Sequence, residues 1–171
     1  VLEDPDNTLP GVDFVGGRDP ETNKPRTPAT DLILEQVDLL TAKGINKIIL
    51  LDHAQDFTHD AVQIEQLYGV DIIVTAGATG FMAKAEANGP YNLLREGDEA
   101  EGDYPRIERD SEGDQVVVVN SGDQYRYLGH LIVTFDEEGR ITAIDGRSGP
   151  IATTEEAIAA LNAITGQAAK P

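Results

Sequence analysis

The residue types best suited to chemistry in this chain stand directly after two short apolar runs. Residues 47–51 (KIILL) lead into Asp52 and His53, and residues 71–74 (DIIV) lead into a turn of small residues. A histidine can bind a metal ion through a neutral ring nitrogen. It can equally cap a following helix or hydrogen-bond the backbone. Position alone leaves both interpretations of His53 open.

The small-residue turn at residues 76–80 (AGATG) is the second candidate. Its backbone amides could approach a phosphate oxygen, but it has no lysine of the kind that phosphate-binding loops carry. Other chemistry has little support, since the chain has no cysteine and no G-x-S-x-G sequence. His59 and His130 fall inside a predicted helix and a predicted strand, and we interpret both as structural.

The elements that must position these residues follow a strand–helix–strand pattern. Thr27 and Pro28 predict a helix start, and Gly44 predicts its end. The two apolar runs are too short for helices and are typical of strands buried on both faces. A helix between them, closed by Gly69, makes the two strands parallel. Ligands of such sheets gather at the carboxyl ends of the strands, where His53 lies.

The second half of the chain has a different pattern. Residues 115–120, 125–136 and 140–145 predict strands, and the last two of these form a hairpin. Thr153 or Thr154, followed by two glutamates, predicts the start of a final helix. Parallel crossovers followed by an antiparallel hairpin predict an α/β fold with a mixed sheet and flanking helices.

Composition restricts the class of partner. The chain has 171 residues, of which 40% are hydrophobic, so it can bury a core. Thirty-one acidic against thirteen basic residues give a net charge of −18. Nucleic acid polymers and anionic membranes both require a positive face, so we expect neither as a partner.

The order and spacing of several motifs resemble a known family. Residues 43–53 (KGINKIILLDH), residues 69–74 (GVDIIV) and residues 116–136, which contain YLGH and VTFD, occur in that order. Together they resemble the calcineurin-like metallophosphoesterase domain of the 5'-nucleotidase and alkaline phosphatase family, in its C-terminal half. The match extends over about 100 residues, from Ala42 to Gly146, and is more specific than any single motif.

The resemblance implies a fold and a function. Residues 1–150 would form the C-terminal portion of the domain, which is half of a four-layer α/β/β/α sandwich, and residues 151–171 a terminal helix and the start of a linker. The parent would be a metal-dependent phosphatase or 5'-nucleotidase that uses divalent metal ions. His53 would be a metal ligand. The site would also be lined by Gln55, Asp56, Gly77 and Thr79.

Two departures from the family pattern limit this expectation. The family's His-x-His is replaced by Gly77 and Thr79, as in the branch often labelled alkaline phosphatase. The family's Asp-x-His and Asn-His-Glu motifs are missing upstream of His53. Two-metal hydrolysis needs both ions, so we predict no catalytic residue here and an inactive isolated chain, with metal bound in the parent or not at all in this chain. The alternative is a non-catalytic binding or structural module.

The remaining expectations concern partners and location. The chain begins at Val1 and ends in TGQAAKP, which we interpret as a fragment of a longer protein. A phosphate ester or a nucleotide would be the parent's substrate. The chain itself would pair with the missing N-terminal half of its domain or self-associate. By family resemblance, the parent would be extracellular or periplasmic.

Overall fold

A five-stranded mixed sheet forms the centre of the molecule. The computed structural model describes residues 2–3, 29–53, 64–77, 80–86 and 88–166. The strands run in the order β1-β2-β3-β5-β4, with β4 antiparallel to β5 and the other neighbours parallel. Their bounds are β1 Leu2–Glu3, β2 Ile49–His53, β3 Ile72–Thr75, β4 Arg106–Arg109 and β5 Gln115–Val119. The predicted parallel pairing of the two apolar runs is confirmed.

The first helix, α1, spans Ala29–Thr41 and packs on one face of this sheet. Ile33 and Val37 are buried in the core, and Gly44 takes a φ of +80°, which ends the helix as predicted. Of the second predicted helix, the described part is a single 3-10 turn at Ile64–Gln66. The remainder of that prediction lies outside the described residues.

The expectation that both apolar runs are buried on two faces is wrong for β2 and is confirmed for most of β3, where Ile72 and Ile73 are buried on opposite faces. Ile49 is 56% exposed and Leu51 is 52% exposed, and Val74 of β3 is also exposed. Side chains alternate between faces along a strand, so these residues form one open apolar face. By contrast, Val116 to Val119 of β5 are all buried. An apolar run indicates that a strand face can be buried. Burial also requires another element that packs against that face.

The second half forms two antiparallel pairs. Strand β7, Val133–Phe135, pairs with β8, Ile141–Ile144, as the predicted hairpin. Strand β6, Tyr127–His130, pairs instead with β9, Gly149–Ala152, so the single strand predicted over residues 125–136 is wrong. The break has a cause that is distant in the chain, because the buried Ser148 hydroxyl accepts from the Ile132 amide and donates to its carbonyl. For the Ile132 amide, this side chain takes the place of a ladder partner.

The final helix, α2, spans Glu155–Thr165 and begins as the sequence predicts. The Thr154 hydroxyl accepts a hydrogen bond from the Ala157 amide, and Gly166 ends the helix with a φ of +67°. The predicted α/β class, with a mixed sheet, an antiparallel hairpin and flanking helices, is confirmed. No helix among the described residues is long and apolar enough to cross a bilayer. The division at residue 150 stays a prediction.

Candidate functional site

The carboxyl ends of three parallel strands meet at one edge of the sheet. Asp52 of β2 is the register partner of Thr75 in β3, and Val74 is the partner of Val119 in β5. The next residue of β2, His53, therefore lies beside the start of the turn that follows β3. This is the edge at which open α/β sheets bind ligands.

His53 is placed on the open apolar face of the sheet. Side-chain alternation puts it on the same side as Ile49 and Leu51, and its side chain is half-buried. Gly77, in the turn after β3, is exposed and takes a φ of +89°, a conformation that favours glycine. The structure thus places His53 and Gly77 at the same sheet edge. Gln55, Asp56 and Thr79 lie outside the described residues.

The described residues do not assemble a complete metal centre. Among them, no three His, Cys, Asp or Glu side chains converge in a way that could hold a metal ion. A catalytic zinc needs three protein ligands, and a two-metal centre needs more. His53 could therefore contribute one ligand to a centre whose other ligands come from elsewhere. The described residues alone do not fit a metal-activated hydrolytic site.

A row of buried polar side chains crosses the opposite face of the sheet at the same edge. Asp52, Thr75 and Asn120 are all buried, whereas the residues below them on that face are apolar, such as Ile73 and Val118. The Asn120 amide nitrogen donates to the Thr75 hydroxyl at 2.9 Å and to the Thr75 carbonyl at 3.3 Å. The Asn120 side-chain oxygen accepts from the Gly122 amide at 2.7 Å. The row ties together the loops that follow β3 and β5.

Sequence reasoning did not identify Asn120 as a site residue. Its signal was present, since it directly follows the run of four valines in β5, as Asp52 directly follows the apolar run of β2. A polar residue at the end of a fully apolar strand is unusual enough to mark a site edge. Its importance depends on Thr75, which is 45 residues away in the chain.

A groove opens between the sheet face and strand β6. It has a volume of about 440 Å³, and apolar side chains including Ile49, Val74 and Leu128 line most of it. The Tyr104 side chain borders the groove and is buried, and this burial raises the pKa of its phenol far above the ordinary value. The Tyr104 side chain is hydrogen-bonded to the backbone of His130, so it holds β6 at this side of the groove.

His130 has a structural role, as its predicted strand position suggests. Its ring stacks on Tyr91 with a centroid distance of 5.1 Å and a tilt of 19°. Its Nδ1 lies 3.2 Å from the carbonyl oxygen of Arg147. These contacts join β6 to the loop before β9, at a distance from His53 along the chain. His59 lies outside the described residues.

Relatives identified by sequence are 5'-nucleotidases. The chain is 34% identical to a snake venom 5'-nucleotidase of Naja atra over 112 residues, which is 66% of this chain and 20% of that protein. It is 32% identical to the 5'-nucleotidase of Bos taurus over 143 residues, which is 79% of this chain and 24% of that protein. It is 36% identical to a probable 5'-nucleotidase of Treponema pallidum over 104 residues, or 16% of that protein. No family model matches the chain.

Solved structures agree with these relatives. The 5'-nucleotidase precursor of Thermus thermophilus superimposes with a TM-score of 0.63 and 25% identity over 82% of this chain and 26% of that chain. The NAD nucleotidase of Haemophilus influenzae shares the fold, with a TM-score of 0.57 and 21% identity over 85% of this chain and 28% of that chain. The chain is therefore related in sequence and in fold to 5'-nucleotidases, and it corresponds to about a quarter or less of their length.

Proposed function

We propose that this chain is part of a metal-dependent phosphoester hydrolase of the 5'-nucleotidase type, and that the isolated chain is inactive. The observation that carries the proposal is the match in sequence and fold to 5'-nucleotidases, with His53 at the carboxyl edge of the parallel strands. A phosphate ester or a nucleotide would be the substrate of the parent. Divalent metal ions, of unknown identity, would be its cofactor.

His53 provides one ligand to the metal centre in this proposal. Its imidazole lies half-buried at the strand end. By family resemblance, Gly77, Thr79, Gln55 and Asp56 are proposed to contact the substrate or to support the ligand. The remaining ligands come from residues outside this chain. The proposed branch is the one often labelled alkaline phosphatase, because Gly77 and Thr79 stand where the family has His-x-His.

The open apolar face supports a partner of defined chemistry. Ile49 and Leu51 of β2 and Val74 of β3 are exposed on the same face of neighbouring strands, and apolar side chains of this size each gain about 1.5–3 kcal/mol from full burial. The relatives are at least four times as long as the segment they share with this chain. The proposed occupant is a second apolar sheet face from the rest of the parent domain. Without it, two copies of the chain associate.

Two assays test the enzymatic proposal. The isolated chain with added manganese, zinc or calcium should release no phosphate from AMP above the buffer rate, and robust turnover would refute the inactive-fragment hypothesis. The longer protein encoded by the same reading frame should release phosphate. His53→Ala in that longer protein should lower its activity at least about a hundredfold, since losing one ligand misplaces the ion. His130→Ala is the matched control, because the His130 ring of β6 stacks on Tyr91 and does not stand at the carboxyl end of a parallel strand.

A non-catalytic binding or structural module is the second candidate. The observation in its favour is the lack of a three-ligand metal cluster within the described part of the chain. The reading frame upstream discriminates the two candidates. Asp-x-His and Asn-His-Glu motifs there support the hydrolase, and their absence supports the module. Export to the cell exterior or periplasm is proposed for either, with venom relatives as the support.

A further inference from the structure

The turn after β3 is held at both of its ends by a single residue. The Asn120 side-chain nitrogen donates to the hydroxyl and the carbonyl of Thr75, where the turn begins. The backbone carbonyl of Asn120 accepts from the Met82 amide at 3.3 Å. Gly77, which the proposed function places beside the substrate, lies between Thr75 and Met82 in the chain.

The same residue also orders the loop that follows its own strand. The Asn120 side-chain oxygen accepts from the Gly122 amide at 2.7 Å. Gly122 has a φ of +75°, and a Cβ at that position would lie 3.0 Å from the Cβ of Phe81. The loop after β5 therefore packs directly on the last part of the turn after β3. Asn120 joins the two loops and uses both ends of its amide to do so.

Burial makes the hydrogen bonds of Asn120 costly to break. Asn120 is 2% exposed, so water cannot replace its lost partners, and each unsatisfied group would carry a desolvation penalty. An apolar residue would fill this space without that risk, as Val118 does two residues earlier on the same face. The buried amide therefore contributes geometry that an apolar side chain could not provide.

We infer that Asn120 is a positioning residue whose side chain clamps Thr75, at the end of β3, to the loop after β5 and so sets where Gly77 stands relative to His53. The inference rests on the proposed function for the role of Gly77. The clamp itself is a property of the fold and can be tested separately. It makes no contact with substrate and supplies no proton.

Native-state hydrogen exchange of the chain tests the clamp. In Asn120→Ala, the Gly122 amide loses its side-chain acceptor, so its exchange should speed up about tenfold more than that of the Val117 amide, which reports on global opening. Asn92→Ala is the matched control, because Asn92 is also buried and its oxygen accepts from the Lys84 amide. That variant should accelerate the Gly122 and Val117 amides equally. Equal acceleration in Asn120→Ala would overturn the inference.

Two further variants test the donor and the acceptor of the Asn120 side-chain amide separately. Asn120→Asp keeps an acceptor for the Gly122 amide and loses the donor to Thr75, so Gly122 should stay protected while the Gly77 amide resonance shifts. Thr75→Val replaces the hydroxyl acceptor by a methyl group and leaves the shape of the side chain nearly unchanged. It should shift the Gly77 amide resonance and leave the Gly122 amide protected from exchange. If both variants leave Gly77 unmoved, Asn120 does not position the turn.

A titration with inorganic phosphate separates the positioning role of Asn120 from the proposed substrate role of Gly77. Titrated into the wild-type chain, it should shift the Gly77 amide resonance, and Asn120→Ala should weaken the apparent affinity at least about fivefold. A wild-type chain that does not respond would count against the substrate role of Gly77. A wild-type chain that responds equally with and without Asn120 would overturn the positioning role.

Discussion

Single residues at turns show how closely the elements approach each other. Gly139 lies in the tight turn of the β7–β8 hairpin with a φ of +94°, and a Cβ there would collide with the carbonyl of Asn46. The Asn46 side chain also donates to the Glu137 carbonyl at 3.0 Å. The hairpin is therefore seated on the loop that leads into β2, the strand that carries His53.

Replacing Gly139 by alanine should lower the free energy of unfolding by more than about 2 kcal/mol, from backbone strain and from the collision together. Gly113→Ala is the matched control, because Gly113 has a φ of +84° and open space around it. It should cost only about 1 kcal/mol. Urea unfolding followed by circular dichroism measures both. Equal losses would contradict the close packing at Asn46.

Asp71 is a half-buried carboxylate whose charge is unfavourable where it lies. Burial is the main cause that raises its pKa, and Asp114 and Asp110 add to the rise. The Ile48 amide, which donates to its Oδ2 at 2.7 Å, and Lys47 oppose the rise. Because the folded-state pKa is higher than the unfolded one, the folded state binds the proton more readily. Wild-type stability therefore gains, relative to a neutral residue, as pH falls through the folded-state pKa.

Asp71→Asn should accordingly be neutral or stabilising at pH 7, since an amide oxygen can still accept from Ile48. Its advantage over the wild type should shrink as pH falls through the folded-state pKa of Asp71 and should level off below the unfolded value of about 3.9. Thermal melts of both proteins over that range measure the difference. An advantage that grows as pH falls would contradict the raised pKa.

The boundaries of the secondary elements in this chain have two kinds of cause, local and distant along the chain. The start of α2 follows the predicted pattern of a threonine cap followed by Glu155 and Glu156, whose charges favour the helix N-terminus. Strand β6 shows the opposite case, because its end depends on Ser148, 16 residues ahead in the chain. A local pattern predicts the first kind of boundary and cannot predict the second.

Thr154→Ala should destabilise the protein by about 1 kcal/mol, because the Ala157 amide loses its acceptor at the helix start. Thr154→Ser keeps the hydroxyl and should restore nearly all of that loss. Chemical denaturation with a common slope measures both variants. If serine and alanine are equally destabilising, the lost methyl group and not the cap is responsible.

At the scale of the whole molecule, the open apolar face has the largest consequence. Exposed contiguous apolar surface favours association in water. The isolated chain should therefore form dimers or larger species as its concentration rises, in spite of its charge of −18. Sedimentation velocity at several concentrations measures this, and a single monomeric species throughout would contradict it.

A single charged substitution on the open apolar face tests whether self-association uses that face. Leu51→Lys should weaken self-association at least about tenfold, because a lysine at the centre of the face would be desolvated in the complex. Ile158→Lys is the matched control, since Ile158 is also exposed and lies on α2, away from that face. It should leave association unchanged. Equal effects of the two variants would place the contact elsewhere.

The sequence by itself determined the local features of this protein. The span of α1, the parallel pairing of β2 with β3, the β7–β8 hairpin and the cap of α2 all follow from periodicity, turn residues and capping, which act between near neighbours. The same signals placed His53 at a strand end. The α/β class followed from the order of these elements along the chain.

Only the tertiary structure decided which faces are covered and which distant residues meet. It showed Ile49 and Leu51 exposed, because burial depends on an element that packs against them and not on their own hydrophobicity. It separated β6 from β7 through Ser148, and it brought Asn120 to Thr75 across 45 residues. Contacts of this kind leave no periodic trace in the chain, since their energy depends on geometry that exists only after the sheet has formed.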